Sequence, residues 1–172
     1  VPDPRYHDPE DLMMSASTDG EAPLLVMLDG IQDPHNLGAI ARTADAAGAH
    51  GLIIPERRAV GITPGAVRAS AGALEHVKVS RVGNLNRAIE NLKEQGMLVI
   101  GLDADGDVEY SEADFTGPVV IVVGSEGKGL SRLVRENCDQ IASIPMAGQL
   151  SSLNASVSTG LVLYEAFRQR RK

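Results

Sequence analysis

Apolar runs rich in β-branched residues alternate along this chain with stretches whose apolar positions recur at helical spacing. The runs are LLVML (24–28), GLIIP (51–55), VKVSRV (77–82), MLVIGL (97–102), PVVIVVG (118–124) and IASIP (141–145). Near-continuous apolar runs mark strands buried on both faces, and their alternation with helices predicts a parallel sheet covered on both sides. Helices are predicted at about 37–47, 65–73, 84–95, 129–137 and 154–170, the last with Val157, Leu161, Tyr164 and Ala166 packed. Asn36 and Asn84 stand as N-caps, and Gly48 and Gly96 stand where a left-handed residue closes a helix. The acidic 103–116 stretch reads as a surface loop. The predicted fold class is α/β: one domain, a mostly parallel sheet with helices on both faces.

A length of 172 residues is enough for one sizeable core, and aromatics at 3% leave that core to Val, Leu, Ile and Ala. The single cysteine, Cys138, excludes an internal disulfide and a cysteine-rich metal site, which fits a reducing, cytoplasmic setting. No apolar run approaches a membrane span, and no signal-peptide pattern opens the chain. The first residues, VPDPRYHDPEDL, are polar and Pro-rich, so 1–21 reads as a linker into a domain at 22–172 of a longer protein.

The formal charge of −7 speaks against nucleic acid only if it is spread evenly. It is not. Residues 1–21 carry −5 and residues 103–114 carry −6, which leaves +4 elsewhere, with Arg57, Arg58, Arg68, Arg132 and Arg135 and a basic end at 168–172. Charge alone permits a polyanion partner without pointing to one.

In open parallel sheets, ligands sit beyond the carboxyl ends of the strands. In the first stretch of that kind, LDGIQDPHNLGAIARTADAAGAHGLIIP (28–55), Asp33-Pro34 makes a turn and small residues keep the helix thin. Arg42 shares a face with Gly38 and Asp45. An ordinary capped helix with an exposed Arg42–Asp45 pair explains that pattern equally. In the second, VVIVVGSEGKGLS (119–131), an apolar strand enters a glycine-bearing turn. Its spacing is neither that of a P-loop nor that of a dinucleotide fingerprint, and Glu126 would repel a phosphate. A tight turn with solvated charges is the plain alternative. In the third, IPMAGQLSSLNASVSTGLVLYEAF (144–167), Gly148, Ser151, Ser152 and Asn154 precede an apolar helix. Capping needs one such residue, so the excess points to a shared space with another molecule.

Taken together, the three stretches resemble the SpoU (TrmH) branch of the SPOUT methyltransferases, with motif order and spacing intact over nearly all of residues 24–170. The resemblance implies transfer of a methyl group from S-adenosyl-L-methionine to a ribose 2′-hydroxyl of RNA. It implies a C-terminal deep trefoil knot, a homodimer with the active site at the subunit interface, and neither metal nor membrane. Matched motif by motif, it assigns Arg42, Asn36, Glu126 and Asn154 to catalysis. It assigns Val123, Gly124, Ser125, Glu126, Gly127, Ile144, Met146, Gly148, Ser152, Leu153 and Asn154 to the cofactor. The IPMAGQLSSLN form looks most like the enzymes that methylate a guanosine ribose of 23S ribosomal RNA, usually behind a separate N-terminal RNA-binding domain. Transfer RNA enzymes and resistance-type ribosomal RNA enzymes share the motifs, and a non-catalytic RNA-binding or assembly module on the same scaffold is the rival class.

Overall fold

The computed structural model describes residues 5–57 and 61–171; Arg58, Lys172 and the first four residues of the expected linker lie outside them. Strands β1 (Leu24–Asp29), β2 (Gly51–Pro55), β3 (Val79–Val82), β4 (Leu98–Leu102), β5 (Val108–Glu109), β6 (Val119–Gly124) and β7 (Gln140–Ser143) form one sheet. Their order is β3-β2-β1-β6-β4-β7-β5, and every pairing between these strands is parallel. β1 and β6 pair along their whole length, from Leu24 opposite Val119 to Asp29 opposite Gly124. Their carboxyl ends therefore stand level.

Helices α1 (Pro9–Thr18), α2 (Pro34–Ala47), α3 (Pro64–Ala69), α4 (Leu85–Glu94), α5 (Arg132–Asn137) and α6 (Ala155–Arg170) cover the two faces. Side chains alternate across β1: Leu24, Val26 and Leu28 join a core with Ile40, Ala44, Val162 and Leu163 of α2 and α6. Leu25 and Met27 join a second core with Leu12, Ile89, Leu92 and Val134 of α1, α4 and α5. All six residues of β6 are buried, as the continuous apolar run requires.

The structure departs from the sequence reading at several places. Asp33, not Asn36, caps α2: its carboxylate accepts the His35 N–H at 2.9 Å, and Pro34 is set for the first helical position by its fixed φ. Asn36 lies one turn in. Asn84 does cap α4, and Gly48 and Gly96 are left-handed. α3 stops at Ala69 because Ala71 and Gly72 turn left-handed before a short 3-10 turn, Ala73–Glu75. β3 starts two residues late, and α5 starts at Arg132 because the preceding turn closes at Gly129.

The stretch expected as linker holds α1, with Leu12 and Ala16 fully buried. The acidic stretch expected as a surface loop holds β5, a 3-10 turn and the fully buried Phe115. Phe115 is kept there by Gln169 of α6, which accepts its N–H at 2.8 Å and donates to the Ala113 carbonyl at 2.9 Å. Of the apolar positions assigned to the packed side of the last helix, only Ala166 is buried; Val157, Leu161 and Tyr164 face outward at 51%, 40% and 47% exposure. The helix buries Ala155, Thr159, Val162, Leu163 and Ala166 instead.

Candidate functional site at the carboxyl edge of the sheet

β6 ends in Gly124, and the chain then turns back on itself. Ser125 and Gly129 pair across the turn, Gly129 donating its N–H to the Ser125 carbonyl at 2.8 Å. Gly127 and Gly129 are left-handed, at φ 84° and 69°. A Cβ on Gly124 would run into the backbone of Gly129 and Leu130, so glycine there is a condition of the turn.

Two carboxylates, from the ends of the strands on either side of β6, hold the far side of the turn. Asp29, closing β1, accepts from Ser131 N at 2.7 Å and Ser131 Oγ at 2.8 Å. Asp103, just past β4, accepts from Arg135 at 2.9 Å, and Asp105 takes the same guanidinium nitrogen at 3.0 Å.

After β7 the chain crosses in front of this turn as residues 144–154 and enters α6. Asn154 caps α6 through Oδ1, which accepts from Ser156 N at 2.9 Å and Val157 N at 3.3 Å. Its Nδ2 donates to Glu126 Oε2 at 3.4 Å. The crossing segment and the glycine turn are therefore joined by one side chain.

Between them lies a cleft. Its walls include Val123, Gly124, Ser125, Glu126 and Gly127 from the turn, and Ile144, Met146, Ser152 and Leu153 from the crossing segment. The structure thus brings together most residues matched to the cofactor. Gly148 is not in the wall and has open space beside it, and Asn154 stands behind the wall as cap and tie. Leu102, Asp103 and Ala104 complete one side and were missed. The signal was present: they follow a predicted strand, and carboxyl ends of strands are where ligands sit.

The cleft excludes Arg42 and Asn36 of its own chain. Arg42 is exposed on α2, next to Thr43. Thr43 lines a second, shallow depression with Val157, Gly160, Leu161 and Tyr164 of α6. Arg42 therefore adjoins, through Thr43, the outward apolar strip of α6, and Asn36 lies seven residues earlier than Thr43 on the same helix.

Asp19, Glu21 and His50 come together elsewhere with metal-ligand spacing. The Leu24 N–H donates to His50 Nδ1 at 3.0 Å, which leaves Nε2 to carry the proton and donate to Glu21 Oε1 at 3.1 Å. A ring arranged this way anchors the start of β1 and offers a metal no lone pair. Among the described residues, no helix is long and apolar enough to cross a membrane.

The model of the SpoU rRNA Methylase family matches residues 23–164, and the chain belongs to that family. Its fold class is accordingly the α/β knot of the SpoU/SPOUT methyltransferases. A protein of Mycobacterium sp. (strain KMS) named "Uncharacterized tRNA/rRNA methyltransferase" is 57% identical over 171 residues, covering 99% of this chain and 54% of the relative. The chain spans about half the length of such curated relatives. The crystal structure of the SpoU methyltransferase AviRb from Streptomyces viridochromogenes, in complex with the cofactor AdoMet, superposes with a TM-score of 0.82 at 39% identity. That match covers 87% of this chain and 61% of AviRb. A solved RNA 2′-O ribose methyltransferase is similar at a TM-score of 0.78 and 34% identity, covering 86% of this chain and 57% of that one.

Proposed function

We propose that the chain carries the catalytic domain of an RNA methyltransferase that uses S-adenosyl-L-methionine to methylate a ribose 2′-hydroxyl, with a guanosine of 23S ribosomal RNA as the favoured target. The reading rests above all on the cleft in which the glycine turn meets the 144–154 segment, tied by Asn154 to Glu126. Its chemistry fits the donor. Leu102, Val123, Ile144, Met146 and Leu153 offer apolar walls to an adenine, while Asp103 and Glu126 suit a cationic ligand and oppose a phosphate-rich one. The similarity to AviRb, solved with AdoMet, supports the same choice.

S-adenosylmethionine, when bound, supplies an electrophilic methyl group. The chain's residues have to hold the ribose oxygen in line with it and let the hydroxyl proton leave. A guanidinium offers five donors and no acceptor, so Arg42 grips the RNA phosphate and polarises the hydroxyl, and a phosphate oxygen or water takes the proton. Glu126 and Asn36 orient the turn, Arg42 and the ribose. Asn154 caps α6 and serves the site together.

Because Arg42 and Asn36 lie outside their own chain's cleft, and Arg42 adjoins through Thr43 the strip of Val157, Leu161 and Tyr164, the reading includes a homodimer joined on that strip. Each copy then completes the other's site. The 2′-oxygen is favoured by the similarity to the solved 2′-O ribose enzyme, ribosomal RNA by the family's description. A cytoplasmic place of action accompanies both.

The decisive experiment supplies the protein with methyl-labelled S-adenosylmethionine and either ribosomal or transfer RNA, then maps the label. A 2′-O-methylguanosine in 23S RNA is the expected product. Label confined to transfer RNA replaces the target, label on a base overturns the 2′-O assignment, and no transfer to either RNA favours the non-catalytic module. Melting with S-adenosylmethionine, NAD or ATP separates the cofactors, since only a ligand of the native state raises the midpoint.

A further inference from the structure

We infer that unpaired cations along the carboxyl edge of the sheet form a track for the RNA strand, leading from β3 to the cleft. Most arginines in the described residues are engaged. Arg132 pairs with Glu136, Arg135 with Asp103 and Asp105, Arg168 with Glu165, and Arg81 stacks on Tyr6 at 4.2 Å. Arg170 is spent on main-chain carbonyls. Arg57, Arg68, Arg87 and Lys128, in contrast, make no hydrogen bond or ion pair with their side chains among the described residues, and all are exposed.

Their places follow the sheet order. Arg87 is in the first turn of α4, just past β3. Arg57 follows the end of β2, where Glu56 N donates to the Val82 carbonyl at 2.9 Å. Arg68 reaches back from α3 over Gly65: its Nη2 stands 3.9 Å from the position a Cβ on Gly65 would take, and Pro34, at the start of α2 beyond β1, stands 3.8 Å from that position. Lys128 is in the turn beyond β6 and lines the cleft. The sequence β3, β2, β1, β6 is the order of neighbours in the sheet, so the cations follow successive strand ends toward the site. Lys78, also unpaired, lies at the opposite edge.

The helix that carries Arg68 is firmly mounted. Thr63 caps α3 by accepting from Ala66 N at 3.1 Å, and Tyr6 Oη and Arg5 hold both the N–H and the carbonyl of Ile62, each at 2.9 Å. Unpaired guanidinium groups at successive strand ends suit the phosphates of a single strand, which Arg holds in bidentate fashion. This track rests on the RNA methyltransferase reading and extends it by saying where the strand on one side of the reacting nucleotide runs.

The test measures binding of a fluorescein-labelled, single-stranded oligoribonucleotide of mixed sequence by anisotropy across a series of salt concentrations. Arg57→Gln, Arg68→Gln and Arg87→Gln are each expected to weaken binding severalfold at low salt and to reduce the slope of log affinity against log salt by about 0.7. Arg68→Lys keeps most of the slope, and Arg132→Gln, which removes a paired arginine, leaves it unchanged. Calorimetry with S-adenosylmethionine is run on every variant and is expected to be unaffected. Slopes for the three track variants equal to that of Arg132→Gln would overturn the track, as would no RNA binding by the unaltered chain at low salt. Failure of the unaltered chain to bind S-adenosylmethionine sinks the methyltransferase reading instead, and the two failures are read on separate instruments.

Discussion

Asn154 stands between α6 and Glu126, its Oδ1 capping the helix and its Nδ2 meeting the Glu126 carboxylate at 3.4 Å. The amide accepts from backbone N–H groups through its oxygen while it donates to a carboxylate through its nitrogen. Asn154→Asp keeps the cap and turns the tie into a repulsion. It is expected to melt near the unaltered protein yet to lose cofactor affinity and transfer. Asn154→Ala loses both functions and about 1 kcal/mol of stability. Equal transfer rates in Asn154→Asp and the unaltered chain would remove the tie from the mechanism.

Gly124→Ala should abolish cofactor binding. The added methyl has only the backbone of Gly129 and Leu130 to meet, and backbone cannot move aside as a flexible side chain can. Titration calorimetry with S-adenosylmethionine reads this directly. A Cβ on Gly148 would meet no atom within 4 Å, so Gly148→Ala serves as the tolerant control.

Arg42→Ala should eliminate methyl transfer while leaving cofactor binding intact, because what it loses is the grip on the RNA phosphate and no part of the wall around the cofactor. Arg42→Lys keeps the charge and loses the planar fork. A rate for Arg42→Lys close to the unaltered rate would mean that charge alone is used.

Arg170 fastens the end of α6 to the amino edge of the sheet, donating to the carbonyls of Phe115, Ala22 and Gly117, each at 2.7 Å, and of Pro23 at 3.2 Å. Burial draws its guanidinium below its ordinary value, and the Glu21 carboxylate opposes that shift. Arg170→Lys cannot serve four acceptors and is expected to cost about 2–4 kcal/mol, seen as a melting midpoint several degrees lower. An unchanged midpoint would show that water replaces these bonds without loss.

The Cys138 thiol is pushed up from its ordinary value to about 11, chiefly by burial. Only the thiolate alkylates, so the native protein should resist iodoacetamide at pH 8 and react as pH approaches 11, while the unfolded chain reacts at once. The sign for stability follows: the unfolded thiol loses its proton first, so this group lowers stability as pH rises above the ordinary thiol range toward 11.

The chain's local signals carried far. Apolar runs located six of the strands because a strand buried on both faces leaves no polar alternation to confuse the reading, and β6 is the clearest case. The glycine turn was legible because its backbone admits little besides glycine, and the Asn154 cap because a helix start needs an acceptor. The short β5 and the buried Phe115 were hidden inside an acidic run, since β5 depends on pairing with β7 and Phe115 on Gln169, 54 residues away.

What the sequence determined by itself is therefore the set of elements and the residue types at their ends, where chemistry acts over a few residues. Which ends meet was decided by the tertiary structure. Strand order sets Asp29 against Ser131, 102 residues on, and Asp103 against Arg135, and it leaves Arg42 outside the cleft that its motif suggested. It also turned Val157, Leu161 and Tyr164 outward, because a helix has one buried face and the sheet chose the other. Periodicity reports that an apolar face exists; only the packing of distant elements says what covers it.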